Sequence, residues 1–95
     1  MEEKNSNYAY MLLCADGTYY SGWTNDPQRR QKAHNSGRGS RYTRARLPVR
    51  MVYMEEFADR VSAMKREAEL KKLSHEEKRE LARRYLEEHD GGAES

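Results

Sequence analysis

Thiols are almost absent from this chain: Cys14 is its only cysteine. No intramolecular disulfide can form, and one thiol cannot build a zinc site. Cys14 lies in an apolar, strand-like run with no activating motif, so it reads as a buried thiol of a reducing compartment rather than a nucleophile. Long hydrophobic runs are missing too. Nothing approaches the roughly 20 apolar residues of a membrane span, and the polar start from Met1 to Asn7 has no apolar signal region. Both absences point to a cytoplasmic protein with no membrane partner. With 95 residues there is room for one domain and one modest core.

The most telling absence is acidic. The formal net charge is only +2, yet from Pro27 to Met54 there is neither Asp nor Glu. That window holds Arg29, Arg30, Lys32, Arg38, Arg41, Arg44, Arg46 and Arg50, with His34 and Tyr42 among them. A surface that tracks phosphates has this composition, although a solvated Arg-rich loop would have it as well. From Glu55 to Asp90 the charges are nearly balanced, so the basicity is local. Within the block, Arg38, Arg41, Tyr42, Arg44 and Arg46 are the candidate nucleic-acid contacts, with Tyr42 placed to stack on a base or approach the scissile group.

What is present organises into short elements. Tyr8 to Leu13 is apolar or aromatic throughout, which suits a central strand buried on both faces. Thr18 to Trp23 reads as its hairpin partner. Turn length decides which side chains share a face. A two-residue Asp16-Gly17 loop would send Tyr10 and Tyr20 to opposite faces; a three-residue Ala15-Asp16-Gly17 loop, with Gly17 in αL conformation, pairs Leu12 with Tyr20 and Tyr10 with Gly22. The three-residue loop is expected, with the Tyr10 ring lying over Gly22.

Asp26 caps a helix that starts with Pro27 and runs to about Asn35, placing Arg30 and His34 on one face. Gly37 to Pro48 reads as a basic loop, and Val49 to Phe57 as a third strand in which Val49, Met51 and Tyr53 alternate against Arg50, Val52 and Met54. A second helix is expected from near Asp59 to about Leu73. A third starts at the capping box Ser74-His75-Glu76-Glu77 and turns Leu81, Ala82, Tyr85 and Leu86 inward. The sum is an α+β fold of order β-β-α-β-α-α: a three-stranded antiparallel sheet with helices around it, spanning residues 8–89 between a flexible start at 1–7 and a disordered tail at 90–95.

On the second helix Glu67 falls inside an apolar arc made by Met64 and Ala68 on one side and Ala63 and Leu70 on the other. A carboxylate turned inward must be paired, hydrogen-bonded or bound to a metal. An i to i+4 bridge to Lys71, worth about 0.3–0.5 kcal/mol at a surface, is the plain alternative to a metal ligand. Magnesium suits a one-carboxylate site, because it keeps waters and takes phosphate oxygens as its other ligands. Arg30 offers a permanently charged fork for charge that builds on a phosphate. Tyr10 and Tyr20 can position or deprotonate an attacking water, given positive charge nearby. His34 is read either as a phosphate contact or proton relay, or as an exposed helix histidine. Tyr8, Tyr19 and Tyr53 read as amphipathic core residues.

Tyr8-Ala9-Tyr10, the Asp16-Gly17 turn, Tyr20-Ser21-Gly22 and Arg30 together resemble the signature of the GIY-YIG nuclease superfamily, most closely its small, stand-alone bacterial members. The resemblance runs from Tyr8 to about Leu73. It implies a mixed sheet with helices and divalent-metal-dependent cleavage of DNA. It places the motif tyrosines on Tyr10 and Tyr20, the motif glycine on Gly22, the catalytic arginine on Arg30 and the metal-binding glutamate on Glu67. Tyr8-Ala9 and Ser21 depart from the motif at sheet positions, and the late asparagine of some family nucleases has no counterpart that can be placed.

The expected function is therefore a Mg²⁺- or Mn²⁺-dependent endonuclease acting on DNA, ahead of RNA, with structured or damaged DNA as substrate. A non-catalytic nucleic-acid-binding domain on the same scaffold is the alternative. A protein-interaction module using Trp23 or the charged third helix ranks behind both.

Overall fold

The computed structural model describes residues 6–90. Its elements are β1 (Asn7–Leu13), β2 (Tyr19–Thr24), α1 (Pro27–Asn35), α2 (Arg41–Arg44), β3 (Arg50–Phe57), α3 (Arg60–Lys72) and α4 (His75–Asp90). The expected α+β order holds, with one addition: the single-turn α2 interrupts what the sequence presents as a basic loop. Ser40 caps that turn, its Oγ accepting from the Thr43 amide at 3.1 Å. The expected flexibility of residues 1–5 and 91–95 lies outside the described residues. Ser6, Asn7 and Asp90 are placed otherwise, since Asn7 opens β1, the Ser6 hydroxyl donates to the Glu56 carboxylate and Asp90 closes α4.

The sheet is antiparallel, in the order β2-β1-β3, so the apolar β1 is central as expected. The hairpin has the three-residue turn: Cys14 N–H donates to Thr18 C=O at 2.8 Å, Gly17 N–H returns to Cys14 C=O at 2.9 Å, and Gly17 has φ +87°. Only glycine takes that conformation without penalty. Tyr10 consequently faces Gly22 and Leu12 faces Tyr20.

Alternation along β1 divides the interior in two. Ala9 and Met11 join Val52, Tyr53, Leu70 and Ala82 in a core closed by Leu73, Leu81, Tyr85 and Leu86 of the last two helices and their junction. Tyr10, Leu12 and Cys14 face the other way, against Val49, Tyr20, Leu47, Met51 and Met54. The expected strict alternation in β3 fails at one point. Met11 pairs with Tyr53 but Leu12 with Met51, so Val52 is an extra residue in a β-bulge and is buried beside Tyr53 on the same side.

Both helix starts of the second half follow their sequence signals. Asp59 caps α3 through the Ser62 amide at 2.7 Å. Ser74 and Glu77 exchange hydrogen bonds of 2.8 and 3.1 Å in a reciprocal box at α4. α1 begins at Pro27, with Asp26 accepting from Arg29 N–H. Two side chains of α1 then occupy backbone groups around β3: Asn35 exchanges bonds of 2.9 and 2.7 Å with Val49, and Gln31 accepts from Met51 N–H at 2.6 Å. These bonds fix α1, and with it Arg30 and His34, against the Tyr10 face of the sheet.

Candidate active site

Tyr10 is the hub. Its ring lies over Gly22, where an added Cβ would stand 2.6 Å from the Tyr10 hydroxyl, so glycine is required for the ring to fit. Burial pushes the Tyr10 phenol up to about 12; the charges of Tyr20 and Glu67 push the same way, while Arg30 pulls down through its charge and as a hydrogen-bond donor. Tyr20 of β2, Arg30 of α1 and Glu67 of α3 are thus near enough for their charges to bear on the Tyr10 phenol. Gly22 is on edge strand β2, and α3, which carries Glu67, packs against β1 and β2.

His34 is not the exposed helix residue offered as its plain alternative. It is 2 % exposed, with Nε2 3.2 Å from the Tyr10 hydroxyl and Nδ1 2.8 Å from Thr43 Oγ1. Direct phosphate contact is closed to it by that burial; proton exchange with Tyr10 is open. Burial, then repulsion from Arg30, holds its imidazole below the ordinary 6.5. Gly39 passes so close that a Cβ there would stand 2.0 Å from His34 Nδ1. Neither Thr43 nor Gly39 stood out in the sequence; the Ser40-x-x-Thr43 spacing was the available signal.

Tyr20 sits between His34 and Tyr42, at ring-centroid distances of 5.3 and 6.1 Å, the latter pair nearly parallel. The Arg46 guanidinium lies over the Tyr42 ring, 3.8 Å from its centroid. Tyr42 itself is exposed. Arg46 is engaged within the protein. It donates to Asp16 at 3.0 Å and to Tyr42 C=O at 2.8 Å, and so straps α2 to the hairpin turn. Arg38, Arg41 and Arg44 are exposed and form no ion pair among the described residues. Arg29 and Arg30 line one polar cleft with Thr24, Asn25, Asp26 and Ala33.

Glu67 projects from the buried stripe that includes Ala63 and Leu70, as expected, but Met64 and Ala68 are exposed, so the apolar arc is narrower than the helical wheel suggests. The Lys71 bridge forms, at 3.1 Å, between a 19 % exposed carboxylate and a 58 % exposed lysine. A pair so open on one side is worth about 0.3–0.5 kcal/mol. Among the described residues no group of three or more His, Cys, Asp or Glu side chains gathers to hold a metal. A cation here would therefore have Glu67 as its protein carboxylate and complete its shell with water and phosphate oxygens, a donor set that suits magnesium or manganese and not zinc.

Comparison with known proteins finds matches over most of the chain. A family model described as the GIY-YIG catalytic domain matches residues 6–81. A UPF0213 protein of Bacillus licheniformis is 49% identical over 86 residues, covering 90% of this chain and 84% of that protein. One from Enterococcus faecalis is 46% identical, covering 90% and 99%. A solution NMR structure of an E. faecalis protein aligns at a TM-score of 0.56 with 46% identity, covering 94% of this chain and 96% of that one. That of a Bacillus halodurans UPF0213 protein aligns at 0.50 with 45% identity, covering 80% and 81%. No described helix is long and apolar enough to cross a membrane.

Proposed function

Since the chain belongs to the GIY-YIG catalytic-domain family, we propose that it is a divalent-metal-dependent endonuclease that hydrolyses phosphodiester bonds in DNA, with structured or damaged DNA as its substrate. The observation that supports this reading is the cluster of both motif tyrosines around His34, with the Tyr10 hydroxyl 3.2 Å from Nε2 and the Tyr20 ring centroid 5.3 Å from the imidazole, in a domain that carries Arg30 and Glu67 within electrostatic reach of Tyr10.

Glu67 would hold the ion, Mg²⁺ or Mn²⁺. When bound, such an ion draws charge from a phosphoryl oxygen and makes water more acidic. Arg30, exposed at the mouth of the cleft it shares with Arg29, pairs with a non-bridging phosphate oxygen and offsets the negative charge that grows there. Tyr10, with its phenol pushed up to about 12 by burial, keeps its proton at neutral pH. It orients the attacking water, and the Arg30 charge lowers the cost of giving the proton up. Tyr20 completes the wall of the site, held in place by His34 and Tyr42. The unpaired Arg38, Arg41 and Arg44 carry the flanking backbone.

One observation favours the alternative of a binding domain without turnover: the Glu67 carboxylate already has a partner in Lys71. A cleavage assay separates the two. Nicked, flapped and branched DNA is incubated with and without Mg²⁺, beside Arg30→Ala and Glu67→Gln. The nuclease reading expects metal-dependent cuts reduced by about 10²–10³-fold in either variant. Binding that is unaffected by Glu67→Gln, with no metal-dependent cut on any substrate, would leave the binding domain standing.

A further inference from the structure

Thr43 is fully buried and none of the roles above uses its hydroxyl, yet that hydroxyl sits at the end of a chain of short contacts leading to Tyr10. Its Oγ1 is 2.8 Å from His34 Nδ1, 3.2 Å from the Ser40 carbonyl, which it can donate to, and 3.3 Å from the Ser40 amide, which donates to it. His34 Nε2 is 3.2 Å from the Tyr10 hydroxyl.

A neutral imidazole carries one proton, and the choice of nitrogen follows from counting donors and acceptors. If Nε2 carried it, Nε2–H would donate to Tyr10 and Thr43 would donate to Nδ1. In the substrate-free protein the Tyr10 proton would then lack a protein acceptor, because His34 Nε2 is the acceptor within hydrogen-bond distance of that hydroxyl among the described residues, and Tyr10 is 1 % exposed. A buried donor left in that state is costly. If Nδ1 carries it, every proton has a destination. Tyr10 O–H donates to Nε2, Nδ1–H donates to Thr43 Oγ1, and Thr43 O–H donates to the Ser40 carbonyl. Both lone pairs of Oγ1 are then filled, by Nδ1–H and by the Ser40 amide. Ser40 Oγ, 3.1 Å away, belongs to a half-exposed residue and has solvent for its own proton.

We infer that Thr43 is a positioning residue: its hydroxyl, locked by the Ser40 cap of α2, selects the Nδ1–H tautomer of His34 and leaves Nε2 as the acceptor of the Tyr10 proton. Gly39 supports this by letting the chain pass close over the ring at Nδ1. The consequence for catalysis rests on the nuclease reading. When Tyr10 is deprotonated, its O–H bond breaks with the electron pair staying on oxygen. The Nε2 lone pair forms the new N–H bond, so the proton leaves Tyr10 on the side away from the substrate.

The test does not require cleavage. Long-range ¹H–¹⁵N correlation spectra of histidine-labelled protein, at a pH where His34 is neutral, report the tautomer directly. Wild type and Thr43→Ser should show Nδ1 protonated and Nε2 bare. Thr43→Val should shift His34 toward the Nε2–H form. Where DNA is cut, Thr43→Val should also lower kcat about tenfold or more at unchanged KM, with Thr43→Ser restoring the rate. An Nε2–H tautomer in wild type overturns the inference whether or not any variant folds, and so does an unchanged Nδ1–H tautomer in Thr43→Val. Because the tautomer is read without substrate, failure of the nuclease reading is a separate result.

Discussion

The two faces of the sheet are built from the same strands and do different work. Beneath α3 and α4, Ala9, Met11, Val52, Leu70 and Ala82 form an apolar core, and those helices carry acids and bases in near balance, several of them paired: Arg79 with Glu76, Arg83 with Glu80 and Glu87, Arg66 with Glu55 and Glu69. On the Tyr10 face a buried polar chain runs from Tyr10 through His34 to Thr43, and Arg38, Arg41 and Arg44 stand outside it without acidic partners. One face spends its residues on stability and neutralises its surface. The other keeps hydroxyls, a ring nitrogen and uncompensated cations in fixed positions, an arrangement stable only because the first face is sound.

The largest effect should come from the core. Leu70→Ala removes a fully buried side chain and should cost about 2–5 kcal/mol of unfolding free energy, measured by denaturant titration, while the His34 environment in the folded fraction is unchanged by NMR. A concerted loss of the His34 pattern would mean that the faces are not separable.

Neighbouring residues of β2 give a sharper contrast. Gly22→Ala forces a Cβ against the Tyr10 hydroxyl and should cost about 1–3 kcal/mol, with the Tyr10 ring resonances displaced. Ser21, next to it on the core side, has a buried hydroxyl with no hydrogen-bond partner among the described residues. Ser21→Ala should be neutral or slightly stabilising in the same thermal melt.

The charge asymmetry predicts a difference in salt dependence. Arg41→Ala and Arg44→Ala should each reduce the slope of log affinity for DNA against log salt by about 1, whereas Arg83→Ala, whose charge is already engaged by Glu80 and Glu87, should leave the slope alone. Equal effects on both sides would remove the distinction.

The smallest effect concerns pH. Burial and Arg30 keep His34 below its ordinary 6.5, so below that pH the unfolded chain takes up a proton that the folded one resists. Stability is then greatest above 6.5 and declines beneath it. Melts from about pH 7.5 to about pH 5 should show this decline in wild type and a smaller one in His34→Gln.

Much of this division is legible in the sequence, for identifiable reasons. The hairpin register follows from one glycine and a loop length, and the starts of α1, α3 and α4 from Asp26-Pro27, Asp59 and Ser74-x-x-Glu77. These are local signals with local causes. What escapes is set by distant contacts. The β3 bulge at Val52 comes from pairing with β1. Arg46 is tied to Asp16 across the fold, and Tyr42 meets Tyr20 of the hairpin. Met64 is exposed because α3 packs along a stripe narrower than its hydropathy suggests. His34 looks ambiguous on a helical wheel and becomes unambiguous only when Tyr10 and Thr43 close on its two nitrogens.

A Mn²⁺ titration followed by paramagnetic broadening in the NMR spectrum tests the site most directly, since it needs no knowledge of the substrate. Signals of Glu67, Tyr10, Tyr20 and Arg30 should broaden first in wild type and stay sharp in Glu67→Gln at the same metal concentration. Broadening that centres instead on the Glu76 and Glu80 side of α4, or that persists around Tyr10 after Glu67→Gln, would contradict a metal-assisted centre on this face.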